Sequence, residues 1–187
     1  GFSNDPMADY NPKANEVMNY HRTVELAEKC VEAGVSRFTF ASTCSIYDRF
    51  AKFSEADDNL IDEDAEVDPK SNYSVSNYKA EQYLLDLYID RSLEELFIFR
   101  QGTVYGWSPR ARFDLVINTM FRDVMNNLPI RVDESGVMWR PMVSVEDVAT
   151  AHVIAATETW AAISYPPIFN LVYKNFKVAE LAILVHR

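Results

Sequence analysis

The chain has 187 residues, 48% of them apolar, so it can bury a substantial core, and its 25% charged content is ordinary for a globular protein. A formal charge of −10 and a pI near 4.7 argue against non-specific nucleic-acid binding, which needs clustered Lys and Arg, and against anionic membranes. No apolar run approaches the roughly 20 residues of a spanning helix, and Gly1-Phe2-Ser3-Asn4-Asp5-Pro6 lacks the pattern of a secretion signal, so a cytoplasmic location is expected.

In chain order, Val17, Tyr20, Val24, Ala27 and Val31 recur at helical spacing before Gly34, which predicts an amphipathic helix over 14–33. Arg37 to Ser42 reads as a short buried strand running into a loop at Thr43, Cys44 and Ser45. Glu55 to Asp68 carries no apolar period and ends at Pro69, the pattern of an acidic surface loop. A second helix is expected over 71–91, with Val75, Tyr78, Leu85 and Tyr88 inward and Lys79 and Glu81 facing solvent. Leu96 to Phe99 then gives a second buried strand, followed by Arg100 and a turn at Gly102 to Gly106.

Beyond Pro109, residues 113–127 read as helix, Ile130–Val132 as extended chain, and Asp133 to Gly136 as a turn before a strand at 137–143, together a hairpin or loop pair. Ser144, with Asp147 three residues on, predicts a capped helix to about Thr157. An extended segment at 168–172 and a helix at 178–186 complete the alternation. Strands alternating with helices imply an α/β protein with a doubly wound, Rossmann-like parallel sheet. Cys30 and Cys44 form no disulfide framework, and neither they nor His21, His152 and His186 have metal-ligand spacing, so no metal is expected. Cys44 reads as a packing thiol.

Five segments, in order, carry a resemblance: Asn19-Tyr20-His21-Arg22-Thr23; Phe40 to Tyr47; Pro69 to Lys79; Arg100-x-x-x-Val104-Tyr105-Gly106; and Trp139-Arg140-Pro141-Met142-Val143-Ser144-Val145-x-Asp147. Together they resemble the extended short-chain dehydrogenases/reductases of the NAD-dependent nucleotide-sugar epimerase/dehydratase family. The resemblance implies transient hydride transfer at a sugar carbon, with NAD as cofactor and a nucleotide sugar as substrate. It implies Tyr73 as acid/base, Thr43 on the substrate hydroxyl, Asn19 and Asn77 in the catalytic constellation, and Tyr73, Asn77 and Ser42 at the cofactor. Arg140 would bind the diphosphate, with Arg112, Asn118 and Thr103 as further substrate contacts. The helices over 14–33 and 71–91 would form a homodimer.

The chain departs from that family in three places. The family places a Lys four residues after its Tyr, and here that position is Asn77. Lys79 lies two residues further, roughly 200° round the helix, and does not substitute. Cys44-Ser45 stand where dehydratases carry an Asp-Glu pair, which favours epimerase-like chemistry. No Gly-rich phosphate turn is present, so the sheet is expected to be incomplete: 1–107 the remaining part of a Rossmann-like domain, and 108–187 a substrate lobe with interleaved Rossmann elements. A catalytically silent, truncated relative or a dimeric interaction module of the same fold is the competing expectation.

Overall fold

The computed structural model describes residues 2–50, 60–132, 134–160 and 165–186. Two short helices, α1 (Asp5–Tyr10) and α2 (Pro12–Glu16), begin the chain, each capped by an asparagine whose side-chain oxygen accepts from a backbone N–H: Asn4 from Met7 and Asn11 from Ala14. A π-helical turn, Val17–His21, leads directly into α3 (Arg22–Glu32). The predicted helix is therefore present but not uniform. The π turn changes its phase, so the buried positions at its start are Asn15 and Asn19, while Val17 is exposed.

Strand β1 (Arg37–Thr43) pairs in parallel with β2 (Glu95–Gln101), and β2 pairs in parallel with β5 (Ile168–Leu171). Helices α3 and α4 (Asn72–Ile89) cover one face of this sheet and α6 (Val145–Thr157) the other. Side chains alternate across β2. Leu96 and Ile98 pack with Ala27 of α3 and Leu84 of α4, and Phe97 and Phe99 pack with Ala155 of α6. Helix α4 starts with a reciprocal cap in which the Ser71 and Ser74 side chains each accept the other's backbone N–H. Helix α6 starts on the predicted Ser144 cap, with Asp147 N–H donating to Ser144 Oγ at 3.0 Å.

The second sheet joins β3 (Thr103–Tyr105), β4 (Trp139–Ser144) and β6 (Lys174–Lys177), with β3 parallel and β6 antiparallel to β4. Helices α5 (Val116–Met125) and α7 (Val178–His186) close its core through Ile117, Met120, Met142, Leu181 and Val185. The chain passes from β2 into β3 at Gly102. A Cβ there would lie 2.8 Å from the Pro141 carbonyl oxygen, so the close approach of the two sheets requires glycine.

Three expectations differ from the structure. Ile130–Val132 is not a strand: Ile130 packs against the α5–α7 core, and β4 takes β3 and β6 as partners instead of closing a hairpin. Glu81 does not face solvent but is fully buried in an ion pair with Arg100. Lys79 and Glu81 are two residues apart on α4, so they cannot share a face, and the buried Arg100 claims the acid. Strand β3 occupies the segment that reads as a turn, and β6 lies between the segments read as extended and as helical, because four or fewer residues give no period to detect. Of the acidic segment, 60–68 carries no helix or strand and 51–59 lies outside the described residues. Among the described residues no helix is long and apolar enough to cross a membrane.

Candidate functional site

The C-terminal ends of β1 and β2, with β3 and the segment before α1, frame a cleft of about 440 Å³. A crevice beyond the carboxyl ends of parallel strands is where open α/β sheets bind ligands. Ser42, Thr43 and Cys44 enter it from the end of β1, Tyr73 from the first turn of α4, and Thr103 from the start of β3. Arg110, Arg112 and Asn118 come from the segment before α5 and from α5 itself.

Tyr73 and Thr43 both line the cleft, with the Thr43 hydroxyl near enough to act on the Tyr73 phenol. Burial pushes the Tyr73 phenol above its ordinary value; the Thr43 hydroxyl and the Arg112 charge oppose that rise, while Cys44 and Asp5 add to it. The phenol is thus held in its protonated, donating form at neutral pH. Asn77 turns away from the cleft: its amide donates to the Tyr73 carbonyl oxygen at 2.9 Å, one turn back on the same helix. Lys79 is engaged on another face of α4, with Nζ donating to Glu16 Oε1 at 2.6 Å. No Lys therefore faces the phenol from α4.

Asn19 also stands outside the cleft lining. Its amide donates to Asn15 Oδ1 and to the Phe2 carbonyl oxygen, both at 2.9 Å, and Asn15 in turn donates to the Asn72 carbonyl oxygen at 2.8 Å and to Ser76 Oγ at 3.0 Å. This relay fixes the π turn to the start of α4, the element that carries Tyr73. Arg140 lies on β4, donates to the Trp139 carbonyl oxygen at 3.0 Å, and is likewise not a lining residue. Arg112 bridges Asp114 and Ser3, and Asn118 holds the Arg112 carbonyl oxygen at 2.9 Å, so these two shape the rim of the cleft.

Behind the cleft runs a buried polar network that the sequence did not reveal. Ser42 Oγ donates to Glu81, Glu81 pairs with Arg100 at 2.8 Å, Arg100 donates to the Tyr47 hydroxyl at 2.8 Å, and Tyr47 donates to Asn170 Oδ1 at 2.8 Å. The Glu81 and Arg100 side chains are 0% and 4% exposed. The network joins β1, β2, β5 and α4 and fixes the strand end from which Thr43 reaches the cleft. Asp5 and Arg110 share the cleft lining as well; Arg110 stands beside the expected Arg112 in the segment before α5, and Asp5 opens α1. Among the described residues no group of three His, Cys, Asp or Glu side chains could hold a metal ion.

A parallel sheet between helices, with a cleft at its carboxyl edge, defines the chain as a Rossmann-like α/β protein. The model of the NAD dependent epimerase/dehydratase family matches residues 6–171, and the chain belongs to that family. It is 29% identical over 147 residues to a putative UDP-glucose 4-epimerase of Methanocaldococcus jannaschii, covering 78% of this chain and 46% of that protein. It is similar to MoeE5 in complex with UDP-glucose and NAD, at 27% identity and a TM-score of 0.73, over 89% of this chain and 52% of the other. The fold also matches that of the UDP-glucose 4-epimerase of Thermus thermophilus in complex with NAD, with a TM-score of 0.79 at 24% identity, over 99% of this chain and 58% of the other. The chain spans about half the length of these relatives.

Two hydroxyls line the cleft, but among the described residues no glycine-rich phosphate-binding turn is formed, and the Asn77 amide is committed to its own helix.

Proposed function

We propose that this chain forms the nucleotide-sugar-binding part of an NAD-dependent epimerase-like oxidoreductase, in which Tyr73 is the acid/base and Thr43 orients the reacting sugar hydroxyl. The observation that carries this reading is the presence of the Thr43 and Tyr73 hydroxyls side by side in one cleft. A sugar hydroxyl placed between the two would accept a hydrogen bond from one and donate to the other, which aligns its proton with the phenolic oxygen. NAD would supply the hydride acceptor, gripped by polypeptide outside these 187 residues or by a partner. Tyr73 as a base must be a phenolate, and with burial opposing that form its proton transfer is expected to strengthen as pH rises toward and beyond about 10.

Arg112 and Arg110 line the cleft and are suited to a diphosphate, Arg110 being exposed and without an ion pair among the described residues. Arg112 would exchange its Asp114 partner for phosphate, and Arg140 would serve the diphosphate only after leaving the Trp139 carbonyl oxygen. Thr103 and Asn118 complete the proposed substrate contacts. Residues 1–107 are proposed as the Rossmann-like part, and 108–187 as the substrate lobe that lends β5 to the parallel sheet.

Exposed Val17, Met18, Leu26 and Ile89 on the helices over 14–33 and 71–91 support a homodimer through those helices. Cys30 and Cys44, which form no disulfide, suit the reducing cytoplasm. The competing reading, a catalytically silent relative, draws on Asn77: no cation stands one turn from Tyr73 on α4.

Isothermal titration with NAD and then with UDP-glucose separates these readings. Binding of the nucleotide sugar supports the proposal, and turnover lost in Tyr73→Phe would establish the acid/base role. Absence of binding to either ligand would refute the proposal for this chain.

A further inference from the structure

Ser42 and Arg100 face each other across the β1–β2 pairing, and both side chains converge on one acid, Glu81 of α4. Ser42 Oγ donates to Glu81 Oε1, while Arg100 Nη2 donates to Glu81 Oε2 at 2.8 Å and Arg100 Nε to Oε1 at 3.2 Å. Ser42 is itself buried, at 4% exposure. A buried ion pair adds little stability over apolar residues of similar volume. What this one adds is a fixed direction for the serine.

Ser42 immediately precedes Thr43 on β1, and Glu81 lies eight residues, about two helical turns, beyond Tyr73 on α4. The Ser42–Glu81 bond therefore ties the strand that carries Thr43 to the helix that carries Tyr73. Successive strand residues project to opposite sides, so the direction of Ser42 settles that of Thr43. The Tyr47 hydroxyl, accepting from Arg100 and donating to Asn170 Oδ1, extends the brace to β5. Ser45 N–H donates to Thr43 Oγ1 at 3.1 Å and holds the threonine from its other side. Although Ser42 is among the residues lining the cleft, its hydroxyl proton is committed to Glu81.

We propose that Ser42 is a positioning residue and not a cofactor contact: anchored to Glu81, it holds the Thr43 hydroxyl at the separation from Tyr73 that a sugar hydroxyl requires. Groups that act on one substrate atom must keep their mutual geometry closely, and a hydroxyl on a strand end keeps it only if the strand end is held. Removing the Ser42 hydroxyl leaves the Glu81–Arg100 pair in place, so the anchor can be tested apart from the buried charges. The inference rests on the nucleotide-sugar reading above and names what sets the geometry of its two hydroxyls.

The test is a double-variant cycle of Ser42→Ala, Thr43→Val and the two combined, each titrated calorimetrically with UDP and with UDP-glucose. UDP lacks the sugar, so the difference between the two ligands reads the hydroxyl site, and retained UDP affinity reports an intact fold. Thr43→Val is expected to weaken UDP-glucose binding by about fivefold, and Ser42→Ala by nearly as much, in line with the value of one hydrogen bond. In the Thr43→Val background Ser42→Ala is expected to add nothing, because the hydroxyl it positions is gone. Additive losses would make Ser42 a direct ligand contact. That result, an unchanged UDP-glucose affinity in Ser42→Ala, or equal losses for UDP and UDP-glucose, overturns this inference and leaves the proposed function standing. Failure of the unaltered chain to bind either ligand, or no loss in Thr43→Val, overturns both.

Discussion

Placing a lysine where α4 carries Asn77 should lower the titration midpoint of Tyr73. Asn77 lies one helical turn beyond Tyr73, a spacing that brings side-chain bases to about 5–6 Å. Two unit charges at about 6 Å in an effective dielectric of about 20 interact by about 2.8 kcal/mol, or about 2 pKa units. The new ammonium is itself partly buried, and its desolvation removes some of that gain, so a fall of about 1–2 units is expected in Asn77→Lys. The sign follows from charge: burial favours the neutral phenol and a cation favours the phenolate.

The assay is the near-ultraviolet absorbance of tyrosinate against pH. With ten tyrosines in the sequence, the Tyr73 signal is taken as the difference between Asn77→Lys and Asn77→Lys/Tyr73→Phe, and compared with the same difference in the Asn77 background. The lost amide bond to the Tyr73 carbonyl oxygen should cost about 1 kcal/mol of stability, which thermal unfolding reads separately. An unchanged Tyr73 midpoint in a folded Asn77→Lys protein would refute the assignment of Asn77 to the missing cation position.

Arg100→Met should destabilise the fold by about 3–5 kcal/mol because it leaves the Glu81 carboxylate buried without its partner, and Glu81→Met/Arg100→Met should recover much of that loss in chemical denaturation. Equal losses in the single and double variants would contradict this account. Half-buried His152 touches Thr39 Oγ1 and Gln101 Nε2 and stacks edge-on against Phe99, and burial lowers its pKa. Its neutral form is favoured in the folded state, so the stability it contributes is full above about pH 6.5 and is lost as pH falls through the lower folded-state value. His152→Gln should flatten that acid limb in urea titrations, and an unchanged limb would count against it. Leu26→Glu, on the exposed face of α3, should shift sedimentation toward monomer, whereas no change would remove that face from the proposed dimer. Occupation of the cleft by UDP-glucose should slow alkylation of Cys44 and spare Cys30, read by peptide mass spectrometry; equal rates with and without the ligand would place the sugar elsewhere.

Period and punctuation determined most of the elements. Helix α6 begins and ends where Ser144 and Thr157 predicted, and β1 and β2 extend their predicted cores by one to three residues, because capping and unbroken apolar runs are local properties. The order of short motifs likewise pointed to the family. Tertiary structure decided what local pattern does not encode. Glu81 and Arg100 are charged residues on separate elements, and only the packing of α4 on the sheet makes them a buried pair. Asn15 and Asn19 are interior because the fold gives their amides partners, Asn15 on α4 and Asn19 at Asn15 and the Phe2 carbonyl oxygen. Strand β6 is defined by its antiparallel register with β4, a contact more than thirty residues away in the chain. Asp5 was an ordinary acid at the start of a short helix until the fold enclosed one of its oxygens beside Tyr73, because burial and the absence of a donor are properties of the assembled site.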